Sequence, residues 1–157
     1  MKIIINKGFT LFEMIIVISF IILLAMIAIP SLSSFRKEQA LKNTTDDIIS
    51  LLDKAQSDTQ ISKNSTTYGV HFETNRAVYF VGSSFSEPNA NNIQIDFDST
   101  VNIPSGGLSL NGGGSDVVFA RLTGDTIGYG TIIVSLVSDA TKQKTITINK
   151  TGIISSN

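Results

Sequence analysis

The sequence has no cysteine and a single histidine. The first absence removes disulfides, thiolate nucleophiles and Cys-ligated zinc together. The second excludes a histidine-rich metal cluster and leaves little room for histidine-based catalysis. Charge is scarce as well: Lys, Arg, Asp and Glu make up 16% of the 157 residues, against about 25% in a typical soluble domain. Twelve basic side chains against thirteen acidic ones leave a formal net charge of −1, which argues against whole-protein attraction to nucleic acid. Glycine is missing from residues 9–68, where proline occurs once, as Pro30. The length suits one domain plus an appendage, and an ordinary cytosolic enzyme is a poor fit.

What is present is sharply partitioned. Across residues 11–29 only Glu13 and Ser19 are polar, and no further charge occurs before Arg36. Nineteen residues of helix rise about 28 Å, close to the roughly 30 Å hydrocarbon core of a bilayer. Apolar positions then thin out to Phe35, Leu41, Ile48, Leu51, Leu52 and Ala55, at steps that fit one face of a helix, with Lys37, Glu38, Lys42, Asp46, Asp47, Asp53, Lys54 and Asp58 among the polar residues between them. A membrane span running into an amphipathic helix is expected. Unbroken from Phe9 to Gln60 it would be about 78 Å long, more than a small domain can cover, so its front half should project. Pro30 lacks an amide proton and is expected to kink it.

From Tyr68 onward the texture is β. A hairpin is predicted from 69–73 and 77–81 with Asn75 near the turn, followed by strands at 93–97, 101–104, 117–119, 131–137 and 145–148. Turns are marked at 87–89, 105–107, 112–114 and 124–125. The expected fold class is α+β: a long N-terminal helix, half hydrophobic and half amphipathic, packed on an antiparallel β domain. The expected boundaries are a leader at 1–8, the hydrophobic assembly helix at 9–35, the amphipathic half at 36–62 and the β-rich domain at 66–157.

The most specific signal lies at the front. Residues 1–7 are short and basic, with Lys2 and Lys7, and the boundary Ile27-Ala28-Ile29-Pro30 offers no A-x-A-like site after the apolar run. The segment Lys7-Gly8-Phe9-Thr10-Leu11-Phe12-Glu13 resembles the processing site of type IV pilins and type II secretion pseudopilins, the class III signal. Pro30 also matches a proline found in the helix of many members. Phe12 stands where the family more often has an aliphatic residue or threonine. The resemblance implies cleavage after Gly8, N-methylation of Phe9 and retention of the hydrophobic helix on the mature chain. It also implies three kinds of partner: other pilin subunits, a prepilin peptidase/methyltransferase and an inner-membrane assembly platform.

Glu13 has a physical argument of its own. A carboxylate at membrane depth costs about 2.5–3.5 kcal/mol on insertion scales, and such a residue persists when it has a partner. After cleavage the nearest cation is the new α-amino group of Phe9, in the same chain or in a neighbour. In a neighbour, the pair would fix the axial offset between subunits, contributing register more than raw stability. The competing reading is a carboxylate that snorkels at the membrane edge.

Farther on, the order 117–124, Gly130-Thr131-Ile132, 144–148 and Thr151-Gly152-Ile153 resembles the C-terminal domain of H-type minor pseudopilins (general secretion pathway protein H) and fimbrial T-type minor pilins. Ordinary hairpin grammar produces a similar pattern. Weaker candidates remain. His71 alternates with Val70 and Phe72 and is expected to face solvent. Gly112-Gly113-Gly114 lacks the Lys and Ser/Thr of a phosphate loop and reads as a mobile loop. Asp96, Asp98, Asp116 and Asp125 show no EF-hand-like spacing for calcium. Lys142, Lys144 and Lys150 cluster near the C-terminus as possible phosphate contacts, although lysines there also suit a solvated sheet edge.

The expected role is structural, without catalysis, cofactor, metal or small-molecule substrate: a minor subunit of a type IV pilus or type II secretion pseudopilus, supporting pilus biogenesis or protein secretion. It would first sit in the bacterial cytoplasmic membrane as a single-pass protein, its leader inside and its β domain outside. Lys2 and Lys7 favour that orientation and Arg36 and Lys37 oppose it. Two rivals stand beside it: a DNA-binding minor pilin of a competence system, and a permanently anchored surface module that never assembles.

Overall fold

The computed structural model describes residues 8–157, and the side chains of residues 27–31 lie outside that description. One expectation, the basic leader through Lys7, therefore falls outside the described residues; the helix is continuous in its backbone through Pro30, where a kink is expected. The chain divides into two units, Met1–Arg36 and Lys37–Asn157.

One helix, α1 (Leu11–Gln60), contributes to both units. Its start is set by Thr10, whose Oγ1 accepts the Glu13 amide at 3.2 Å while its carbonyl accepts the Met14 amide at 3.2 Å. That is an N-cap, which satisfies an amide with no partner inside the helix. In the first unit the large apolar side chains from Phe9 to Met26 are exposed. Inside this stretch Ser19 hands its hydroxyl proton to the Ile15 carbonyl at 2.8 Å, so the run's one hydroxyl is satisfied without water. Among the described residues no helix is long and apolar enough to cross a membrane; described side chains of the apolar run stop at Met26.

In the second unit the helix buries Leu41, Ile48, Leu51, Leu52 and Ala55, as their spacing predicts. Thr44, Thr45, Asp58 and Thr59 are buried on the same stripe, where the sequence alone reads polar surface. Thr45 and Thr59 have local partners: they bond back to the Leu41 and Ala55 carbonyls, and Thr59 Oγ1 accepts the Tyr68 amide at 3.0 Å. Phe35, expected on the stripe, is exposed. The helix ends at Gln60, and Ser62, Asn64 and Ser65 follow at φ of 53 to 55°, a left-handed run in which helical bonding cannot continue.

Nine strands are formed among the described residues: β1 (Tyr68–Phe72), β2 (Arg76–Val81), β3 (Ile93–Asp96), β4 (Val101–Asn102), β5 (Leu108–Leu110), β6 (Asp116–Val118), β7 (Gly130–Leu136), β8 (Asp139–Ile148) and β9 (Ile154–Ser156). They form two antiparallel sheets, one ordered β3-β2-β1-β6 and the other β4-β7-β8-β9 with β5 also on β7. The inner faces share one core with the helix stripe, including Tyr68, Val70, Phe72, Tyr79, Val117, Phe119, Ile132, Val134, Ile146 and Ile148. The α+β class and the β1–β2 hairpin are as expected. Strands β5 and β9 were not, and β8 begins six residues before its expected start at Thr145. Residues 139–144 are exposed throughout and pair only with β7, so they carry no apolar alternation to read.

Leu52, fully buried between helix and sheets, should cost about 2–5 kcal/mol when truncated to Ala, whereas Phe35→Ala should stay within about 0.5 kcal/mol. Denaturant unfolding of the detergent-solubilised chain checks both; equal effects would contradict the packing described.

Candidate functional site

The N-terminal constellation is built from three positions. Gly8 is exposed, and among the described residues a Cβ placed on it would meet nothing within 4 Å. Phe9 follows, 78% exposed, just ahead of the helix. Glu13 lies in the first turn, where the positive end of the helix dipole favours an acid by about 0.3–1 kcal/mol. Thr10 and Glu13 have the spacing of a capping box, which offers Glu13 a local role that sequence reasoning missed; the signal T-x-x-E was in view. The Thr10 half of the box is formed. No described residue makes an ion pair with the Glu13 carboxylate, which stands on a helix surface otherwise made of aliphatic and aromatic groups.

The three lysines do not form one patch. Lys142 and Lys144 lie on the one-sided stretch of β8, and Lys142 Nζ bonds Glu38 Oε1 at 2.7 Å. That bond, with the attraction of Glu38, raises the Lys142 pKa, and its charge is already matched. Lys150 sits in the turn after β8, its carbonyl taking the Thr126 amide at 2.9 Å. Six strand steps, about 20 Å, separate Lys142 from Ile148 at the end of β8, and Lys150 lies past that end. Sequence proximity misled here because Lys142 and Lys144 lie near the start of a long strand and Lys150 lies beyond its end.

His71 also differs from expectation. It is on the face opposite Val70 and Phe72, but that face is covered: residues 82–92 fold back so that Phe85 stacks on the imidazole, centroids 3.9 Å apart, and meets Phe80 edge-on at 5.8 Å. His71 Nδ1 lies 2.5 Å from Asp116 Oδ1 and its Nε2 3.7 Å from Glu73 Oε1. Gly69 belongs to the same layer, since a Cβ there would press on Phe80 and the Val117 carbonyl. The fold-back is held by Arg76, which donates to Glu73, Glu87 and Gln94. This makes a second small core.

The aspartates are dispersed. Asp96 accepts a bond from Gln94, Asp98 from Thr100, and Asp116 faces His71; Asp125 lies in the loop between β6 and β7, its amide on Thr123 Oγ1 at 3.4 Å. Among the described residues no group of three or more His, Asp or Glu is arranged to hold a metal. Gly112 and Gly113 take φ of 91 and 71° in the turn that carries the chain from β5 to β6, between the sheets. A cavity of about 650 Å³ lies beside it, lined among others by Asp116, Phe119, Asp125, Ile127 and Lys150. Its lining joins no reactive group to a base.

One buried charge bears on stability. Burial pushes the Asp58 carboxyl up, but bonds from Tyr79 Oη at 2.7 Å, Lys54 and Lys63 outweigh it and leave the pKa below the ordinary aspartate value. Glu73 is lowered too, chiefly by its bond from Arg76. Both are carboxylates depressed in the folded state, so their contribution is complete above the unfolded pKa and is lost as pH falls through the folded one. Stability should decline below about pH 4, and Asp58→Asn should be less stable at pH 7 with a shallower acid loss. Thermal unfolding from pH 7 to 2 measures it; a steeper acid loss in the variant would contradict the assignment.

No protein-family model matches the chain, and no curated protein matches it in sequence. A solved structure does match in fold. The type IV minor pilin FimU of Pseudomonas aeruginosa (strain PAO1) superposes with a TM-score of 0.54 at 11% identity, over 74% of this chain and 92% of that one. The long helix joined to antiparallel sheets is therefore a pilin-like α+β fold.

Proposed function

We propose that the chain is a structural minor pilin or pseudopilin, made as a membrane-inserted precursor, cut after Gly8, N-methylated at Phe9 and assembled into a type IV pilus or type II secretion pseudopilus. The observation that carries this reading is an uncovered apolar helix surface with a single carboxylate, Glu13, near its start, in front of a pilin-like domain. Such a surface needs lipid or other helices, and transfer from acyl chains to neighbouring helices never exposes it to water. Within a bundle, Glu13 meets the methylated amine of a neighbouring Phe9. Each α-amino cation then finds a carboxylate in a medium where neither is tolerated alone. Gly8 is exposed, which suits access by a processing peptidase. The domain's resemblance to the H-type and T-type minor subunits supports a low-copy role in secretion or pilus biogenesis.

The DNA-binding alternative is the weaker reading, since Lys142 is matched by Glu38 and Lys150 lies past the end of β8, apart from Lys142 and Lys144. Glu13→Ala should be processed normally yet fall at least tenfold in sheared fibre fractions, while Thr10→Ala, which removes only the cap, should still assemble. Equal fibre incorporation of Glu13→Ala and the parent chain would refute the pairing role.

A further inference from the structure

The β5–β6 turn carries a motif that assembly does not use. Asn111-Gly112 is the only Asn-Gly pair in the chain, and Gly113 and Gly114 follow it. Asparagine is one of the chemically labile residues, because the backbone nitrogen of the next residue can attack its side-chain carboxamide. A side chain on that next residue obstructs the approach, and glycine has none. The surroundings suit the attack. Residues 111–114 are exposed, and a Cβ placed on Gly112 would meet nothing within 4 Å, so there is room and water. The Asn111 amide is bonded to the Tyr129 carbonyl at 2.8 Å and the Gly113 amide to the Leu110 carbonyl at 3.0 Å, but the Gly112 amide donates to no described residue. Its proton is therefore open to hydroxide. Two other asparagines lack this freedom: the amides that follow Asn64 and Asn91, those of Ser65 and Asn92, are bonded to the Ser62 and Asn89 carbonyls.

The same carboxamide holds two parts of the domain together. Asn111 Nδ2 donates to the Ile127 carbonyl at 3.0 Å. With the bond from the Asn111 amide to Tyr129, it ties the β5–β6 turn to residues 127–129, just ahead of β7. Both connections pass from one sheet to the other, and Asn111, Gly112, Ile127 and Gly128 all line the cavity of about 650 Å³.

We propose that Asn111-Gly112 is a self-modifying site whose conversion releases residues 127–129 from the β5–β6 turn and opens that cavity. The Gly112 nitrogen gives its proton to hydroxide and bonds to Asn111 Cγ. The Cγ–Nδ2 bond breaks, and Nδ2 leaves as ammonia with a proton taken from water. Water then opens the five-membered imide at either carbonyl, leaving an aspartyl or an isoaspartyl linkage; nothing is oxidised or reduced. Either product puts a carboxylate where a donor stood. An ionised carboxylate only accepts, so the Ile127 carbonyl loses its partner, and the isoaspartyl form also adds one carbon to the main chain of the turn. The change runs one way and is set by time and pH. It needs no partner and is independent of whether the chain assembles.

The test uses the full-length, detergent-solubilised chain, held folded at mildly alkaline pH and sampled over time. Peptide mass mapping should show the peptide containing Asn111 changing from amide to acid at least tenfold faster than those containing Asn64 or Asn91, with ammonia released in step. Gly112→Ala should slow the conversion at least tenfold. Brief chymotrypsin treatment of the same samples reads the loop: cleavage after Tyr129 should rise at least threefold as conversion proceeds. Asn111→Asp should be cleaved at the raised rate from the start, while Asn91→Asp, which adds the same charge far from this turn, should match the parent. An Asn111 that stays an amide, a Gly112→Ala chain that converts as fast as the parent, or conversion with unchanged cleavage at Tyr129 would each overturn the proposal.

Discussion

A helix surface that is apolar all round and that its own unit does not cover constrains everything else in this protein. Phe9, Leu11, Phe12 and the aliphatic run to Met26 are exposed, and at about 25 cal/mol per Å² such a surface cannot be left in water. Against that background a single carboxylate is conspicuous. Glu13 gains something from the helix start, and Thr10 shows that the start is locally well made. A dipole and a cap are worth about 1 kcal/mol, less than the roughly 2.5–3.5 kcal/mol that a charge costs at membrane depth. The difference is what an opposite charge would supply, and on the proposed reading that charge is a processed N-terminus.

The second unit solves a different problem. A segment of helix, two small antiparallel sheets and many short connections must close a core without a disulfide. The helix does this with a stripe wider than its apolar residues, drawing in Thr44, Thr45, Asp58 and Thr59. It also reaches outward with Gln56 and Gln60 to tie the loops at 121–124 and 149–153. A second layer, Phe85 over His71 and Phe80, covers the far face of β1 and β2. The loops tied by Gln56 and Gln60 present Leu122 and Ile153 to the outside.

Much of this was legible in the sequence where periodicity and composition speak. The glycine-free stretch marked the helix, the steps from Leu41 to Ala55 marked its buried face, alternation marked β1 and β3, and a continuous apolar run marked β2. The N-terminal motif can be picked out because its residues are contiguous. What could not be read had no local signature. Residues 139–144 form a strand with both faces wet, and β5 is three residues between glycine turns. His71 looked solvent-facing because the segment that covers it, carrying Phe85, lies beyond the next strand. Asp58 looked like surface because its partners Tyr79 and Lys63 come from other elements, and Lys150 looked close to Lys142 because distance along a strand is not visible in residue counts.

The account stands or falls on the hydrophobic helix remaining on the mature chain behind a newly made amine. The direct measurement is the intact mass of the protein recovered from its native cells, with fragmentation of its N-terminus. A chain beginning at Phe9 and carrying one added methyl group on its amine is the expected result. A chain that still begins at Met1, or one that begins beyond the apolar helix, would contradict it.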